Sequence, residues 1–152
     1  MSLVHVKTRI AAPAQRVWET VMDPNRLGEW VTIHRSVRNV PALPLHAGAQ
    51  MEQVMEIRHF RFQVHWTLAS MEEPTAAQWE GRGPAHSSAL IRYRLSENAD
   101  GETEFEYTNE FSPPGGRLGS IASKMIVGAA SEREADNSLK RLKALVESGS
   151  HS

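Results

Sequence analysis

The chain has 152 residues, 40% of them hydrophobic and 23% charged, with a formal net charge of −1. That length and composition suit one domain around one core and argue against disorder. The near-neutral charge gives no electrostatic footprint for nucleic acid or an anionic membrane, and the absence of cysteine excludes disulfides, cysteine zinc sites and cysteine nucleophiles.

Residues 3–10 alternate, with Val4, Val6, Thr8 and Ile10 on one face, as in a half-buried strand. Pro13 suits the first turn of a helix, and Val17, Trp18, Val21 and Met22 follow at helical spacing. Trp18 is expected to pin this helix to the sheet. Asp23-Pro24-Asn25 breaks it, and Asp23 or Asn25 caps a short second helix from Leu27 to Trp30. A strand is expected over 31–40, then a loop from Pro41 to Gly48, because two prolines do not fit a central strand.

Residues 50–57 and 61–70 place Met51, Gln53, Met55 and Phe62, Val64, Trp66 on inward faces. A turn from Arg58 to Arg61 pairs Ile57 with Phe62 and Gln53 with Trp66. Residues 76–82, carrying Trp79, form a short strand between the Pro74 and Gly83-Pro84 turns. The pair 86–95 and 103–111 forms a hairpin at Asp100-Gly101, with Glu97 to Gly101 in the loop. That register sets Arg94 opposite Glu104 and Arg92 opposite Glu106. After Pro113-Pro114-Gly115-Gly116 a long amphipathic helix is expected over 118–146, with an apolar stripe that includes Met125, Ala135, Leu139 and Leu142 and that Glu132 interrupts.

The order is one strand, two short helices, about six more antiparallel strands and a long helix, an α+β arrangement. A single domain over 1–147 with a solvated tail at 148–152 is expected. The first residues lack the apolar run of a signal peptide, and no stretch reaches the ~18 apolar residues of a membrane span. A cytoplasmic protein without integral membrane association, monomer or homodimer, follows as an expectation.

The opening strand with Ala12-Pro13-Ala14-Gln15-Arg16-Val17-Trp18, the Asp23-to-Trp30 stretch and the closing Leu139-to-Glu147 segment carry a resemblance. In that order, over essentially the whole chain, they resemble the START-like (SRPBCC) superfamily, which includes polyketide cyclase/dehydrase, lipid-transfer and Bet v 1-like proteins. The resemblance implies a helix-grip fold: a curved sheet of about seven strands gripping the last helix around a cavity for a small hydrophobic ligand. The run Trp30-Val31-Thr32-Ile33-His34-Arg35 is similar to actinobacterial members, some of them parts of toxin–antitoxin pairs.

Seven histidines show no HxH, HxxxH or HExxH spacing, so no metal and no cofactor is expected. Gln53, Tyr93, Tyr107 and Asn109 share faces with apolar neighbours. A buried polar group left unpaired costs ~1–3 kcal/mol, so each must bond to the core, to water or to a ligand. Trp30, Trp66, Trp79 and Met125 supply apolar cavity surface or ordinary core. Tyr93, Tyr107 and His34 are the residues suited to moving or donating a proton if the chain works as a cyclase or dehydratase. Glu132 either pairs with Arg35, Arg38 or Arg82 or stands as an acid on the pocket floor. Three readings remain open: a carrier or sensor of an apolar ligand, an acid–base enzyme acting on a β-keto chain, and an interaction protein such as half of a toxin–antitoxin pair.

Overall fold

A computed structural model describes residues 2–57, 59–112 and 132–149. Seven strands form one antiparallel sheet: β1 (Ser2–Ile10), β2 (His34–Arg38), β3 (Gln50–Ile57), β4 (Phe60–Glu72), β5 (Ala76–Arg82), β6 (Ser88–Glu97) and β7 (Thr103–Ser112). The spatial order is β1-β7-β6-β5-β4-β3-β2, so the chain runs as a meander from β2 to β7 and β7 returns to β1. Two helices follow β1: α1 (Ala14–Val21) and, after a 3-10 turn at Pro24–Arg26, α2 (Leu27–Trp30). The C-terminal helix α3 (Glu132–Ser148) packs on β1 and α2. This is the helix-grip α+β architecture, a curled sheet closed by helices. Met125 and the first part of the expected long helix lie outside the described residues. No helix among the described residues is long and apolar enough to cross a membrane.

Strand parity follows the hydrophobic alternation. Val4, Val6 and Ile10 of β1, and Phe105 and Phe111 of β7, are buried on the inner face. Register departs from expectation by two residues in two hairpins, which preserves parity. Ile57 pairs with Phe60, and Gln53 with Val64. Arg94 pairs with Glu106 and Ser96 with Glu104, while Arg92 lies opposite Thr108 and forms a 3.8 Å ion pair with Glu110. The loop is the cause. Asn98 Oδ1 accepts from the backbone N–H of Asp100 (2.9 Å) and of Glu102 (3.0 Å), and Gly101 takes a positive φ of 78°. These bonds close the loop over Asn98 to Glu102, so that Glu97 already pairs with Thr103. The strand expected over 31–40 is confined to His34–Arg38, because the turn after Trp30 occupies the preceding residues.

The ends of α1, α3 and β1 are tied together by side chains. Pro13 occupies the N-cap position of α1, and Glu97 of β6 accepts from Ala14 N–H at 2.8 Å. Thr103 Oγ1 donates to Ala12 C=O at 2.7 Å. From α3, Lys143 Nζ donates to Arg9 C=O and to Glu147 at 2.7 Å each, and Glu147 also accepts Ala11 N–H at 2.8 Å. Lys143 first, and then the Ala11 N–H, hold the Glu147 carboxyl below its ordinary value.

On β5, Gly81 lies beneath the Trp66 indole. A Cβ built there would stand 2.5 and 2.7 Å from Trp66 ring carbons and 2.9 Å from Val64 Cγ1. Only glycine lets the indole lie across the strand. Gly81→Ala is therefore expected to lower stability in urea unfolding by about 1–3 kcal/mol, the range for overpacking. Glu147→Gln should cost about 0.2–1 kcal/mol at neutral pH, as for exposed ion pairs. Because the folded carboxyl titrates below its unfolded value, this contribution is present above the unfolded value and is lost as pH falls through the folded one. Melting curves of the variant and the wild type should then converge in acid.

Candidate ligand-binding site

Between the inner face of the sheet, α2 and α3 lies a cavity of about 110 Å³. From the sheet, Met55, Phe62, Val64 and Ile91 contribute apolar wall. α3 contributes Ala135 and Leu139, and the helical segment before β2 contributes Val21, Leu27 and Trp30. The small side chains of α3 leave this space open, and the concave sheet supplies its floor.

Seven of the ten residues singled out from the sequence line this cavity: Trp30, Gln53, Trp66 and Trp79, with Tyr93, Tyr107 and Asn109. The two tyrosines face one another across β6 and β7, with ring centroids 6.1 Å apart. Trp30 tilts against Tyr93 at 6.2 Å. Burial pushes the Tyr107 phenol up to about 12, while the Asn109 bond pulls the other way. Burial first, then the nearby Tyr107, raises Tyr93 beyond the ordinary tyrosine range. Both rings therefore stay neutral at physiological pH and offer O–H groups as donors. Asn109 Nδ2 donates to Tyr107 Oη at 3.2 Å.

Gln53 is engaged by protein on both sides of its amide. Trp66 Nε1 donates to Gln53 Oε1 at 2.9 Å, and Gln53 Nε2 lies 2.9 Å from His34 Nδ1. An indole N–H can only donate, so the carbonyl oxygen of Gln53 must face Trp66 and its NH₂ must face His34. His34 Nδ1 is then the acceptor, and the ring is neutral with its proton on Nε2. Desolvation also lowers the His34 pKa from its ordinary value. His34 does not belong to the cavity lining; it stands behind Gln53 and fixes it.

Glu132 does not line the cavity either. It is exposed at the first described turn of α3, and among the described residues no ion pair joins it to Arg35, Arg38 or Arg82, which are exposed themselves. The buried face of α3 is centred on Ala135, Ser138, Leu139 and Leu142, which leaves Glu132 on its flank. The acid that reaches the lining is Glu134. Its carboxylate accepts from Thr32 Oγ1 at 2.5 Å, and Ser138 Oγ accepts from Thr32 N–H at 3.2 Å. These bonds fasten the segment between α2 and β2 to α3 at the cavity's edge. Ser138, three residues after Ala135 and four before Leu142, carried the helical spacing that could have revealed it.

Two side-chain atoms in this wall are buried without a hydrogen-bond partner among the described residues: Trp30 Nε1 and Asn109 Oδ1. No group of three or more histidine, aspartate or glutamate residues is placed to hold a metal ion among the described residues.

Replacing Gln53 by leucine removes the partner of both Trp66 Nε1 and His34 Nδ1. Denaturant unfolding should register a loss of about 1–3 kcal/mol, the cost of orphaned buried polar groups. In the wild type, proton NMR should show His34 titrating below the ordinary histidine value. Since the unfolded state takes up that proton first, stability should fall as pH drops from the unfolded value toward the folded one.

Comparison with known proteins agrees with this geometry. A family model described as polyketide cyclase / dehydrase and lipid transport matches residues 1–147. Among solved structures, a START superfamily protein from Mycobacterium smegmatis superposes with a TM-score of 0.74 at 14% identity, covering 96% of this chain and 97% of that one. TTHA0849 from Thermus thermophilus gives a TM-score of 0.74 at 14% identity, covering 98% of this chain and 99% of that one. At such identities the likeness is one of fold. A curated relative, Toxin Rv0910 of Mycobacterium tuberculosis, is 26% identical over 74 residues, 49% of this chain and 51% of that protein. The match spans about half the length of that relative. With a family model matched over nearly its whole length and the curled sheet and cavity that go with it, the chain belongs to the polyketide cyclase / dehydrase and lipid-transport family.

Proposed function

We propose that the chain binds a small apolar molecule in the cavity between the sheet, α2 and α3. The observation that carries this reading is the cavity itself: mostly apolar wall, bounded by three elements, with a few polar groups set into it. Its 110 Å³ compares with the ~150 Å³ cavity that takes up benzene in an engineered protein. The ligand class that fits is a single ring or a short acyl stretch. The family's description, polyketide and lipid chemistry, agrees with an apolar ligand.

Carriage or sensing suits the site better than turnover. Neutral, buried Tyr93 and Tyr107 hold their protons tightly, and the lone pair of His34 Nδ1 is already taken by Gln53. A proton-shuttling site needs a group whose pKa lies near the working pH and which reaches the ligand. A toxin-like role, suggested by the name of the tuberculosis relative, has a half-chain match in its favour and no feature of the cavity.

Native mass spectrometry beside the denatured mass tests the reading. A co-purified apolar molecule, or uptake of a ring-sized or short-chain probe, is the expected result. A clean mass with no uptake across a panel of such probes would overturn it.

A further inference from the structure

The polar groups of the cavity are selective in a way that its volume is not. Trp30 is 1% exposed, yet its Nε1 has no acceptor among the described residues. An indole N–H seldom stays buried without one. Asn109 uses Nδ2 on Tyr107 Oη, and its buried Oδ1 lacks a donor among the described residues. These two atoms belong to residues of one wall, linked through Tyr93 and Tyr107. Elsewhere in the site Gln53 is satisfied by Trp66 and His34, and Thr32 by Ser138 and Glu134. Beside the O–H groups of Tyr93 and Tyr107, the orphans thus add one donor and one acceptor, and among the described residues no arginine or lysine stands in the lining to meet an anion.

We infer that the site selects an uncharged, ring-sized molecule carrying both a hydrogen-bond donor and an acceptor, of which a phenol is the simplest example, with Trp30 Nε1 donating to it and Asn109 Oδ1 accepting from it. This rests on the cavity-binding reading and narrows its ligand class. An all-apolar cavity has the opposite preference: it favours toluene over phenol, because the phenol hydroxyl loses its water and gains nothing. Here the hydroxyl finds waiting partners that otherwise go unpaired. A carboxylate must shed far more hydration than neutral O–H donors return, finds no cation in the described lining, and meets Asn109 Oδ1 and the Glu134 edge as like-signed neighbours.

Calorimetric titration of the full chain with phenol, toluene and benzoate tests this. The expected order is phenol about tenfold tighter than toluene, which one net hydrogen bond produces, with benzoate not bound at neutral pH. Asn109→Leu and Trp30→Phe should each bring the ratio of phenol to toluene affinity down from about ten toward one. Toluene binding as tightly as phenol in the wild type would overturn the inference and leave the cavity reading intact. Benzoate binding as well as phenol would overturn the requirement for an uncharged ligand. A phenol preference unchanged in both variants would overturn the assignment to these atoms. Failure of all three probes to bind would remove the cavity reading and this inference together.

Discussion

The inner wall of the sheet depends on one contact, the Trp66 indole lying flat over Gly81. With no Cβ beneath it, the ring crosses β5 and brings Nε1 to Gln53 Oε1. That bond orients the amide, the amide orients His34, and His34 opens β2, the strand that follows α2 after a short turn. A chain of three side chains therefore links β4, β3 and β2 through their polar groups rather than through packing alone. Buried polar networks of this kind specify one arrangement when every member is satisfied. Here the middle member cannot be turned around, because an indole never accepts a hydrogen bond.

Element type and facing were legible in the sequence because the period-two pattern of each strand is strict: Val4 and Val6, or Phe105 and Phe111, could face only one way. Register was not, for the same reason. Alternation fixes a strand modulo two residues, and both shifted hairpins moved by two. What chose between the options was turn chemistry, with Asn98 Oδ1 serving two backbone donors in the β6–β7 loop. The site was legible to the degree that it lies on strands. Tyr93, Tyr107 and Asn109 could be placed inward by parity, whereas Glu132 and Glu134 differ by a helical phase that the broken stripe around them did not define. His34 failed in a different way: its role depends on a diagonal contact across an irregular β2–β3 register, for which no sequence periodicity exists.

The cavity and the core are one structure seen at different points. Buried Trp66 and Trp79 are part of the packed interior and also part of the lining. Ligand uptake therefore acts on the same side chains that hold the sheet together, and occupancy should be felt as stability by mass action. The Thr32, Glu134 and Ser138 bonds are different in kind. They hold the segment between α2 and β2 to α3 at the edge of the cavity, outside the Trp66, Gln53 and His34 chain.

The ties between α3 and β1 bear on how the chain is made. β1 precedes every other element out of the ribosome, yet its neighbour in the sheet is β7, and the carbonyl of Arg9 and the amide of Ala11 meet side chains only at Lys143 and Glu147. The nascent strand must wait for almost all of these residues before it can be matched. Ribosome-bound intermediates thus carry an unsatisfied edge, the kind of species that chaperones shield. The first of these strands to be made is thus the last to gain its place in the sheet.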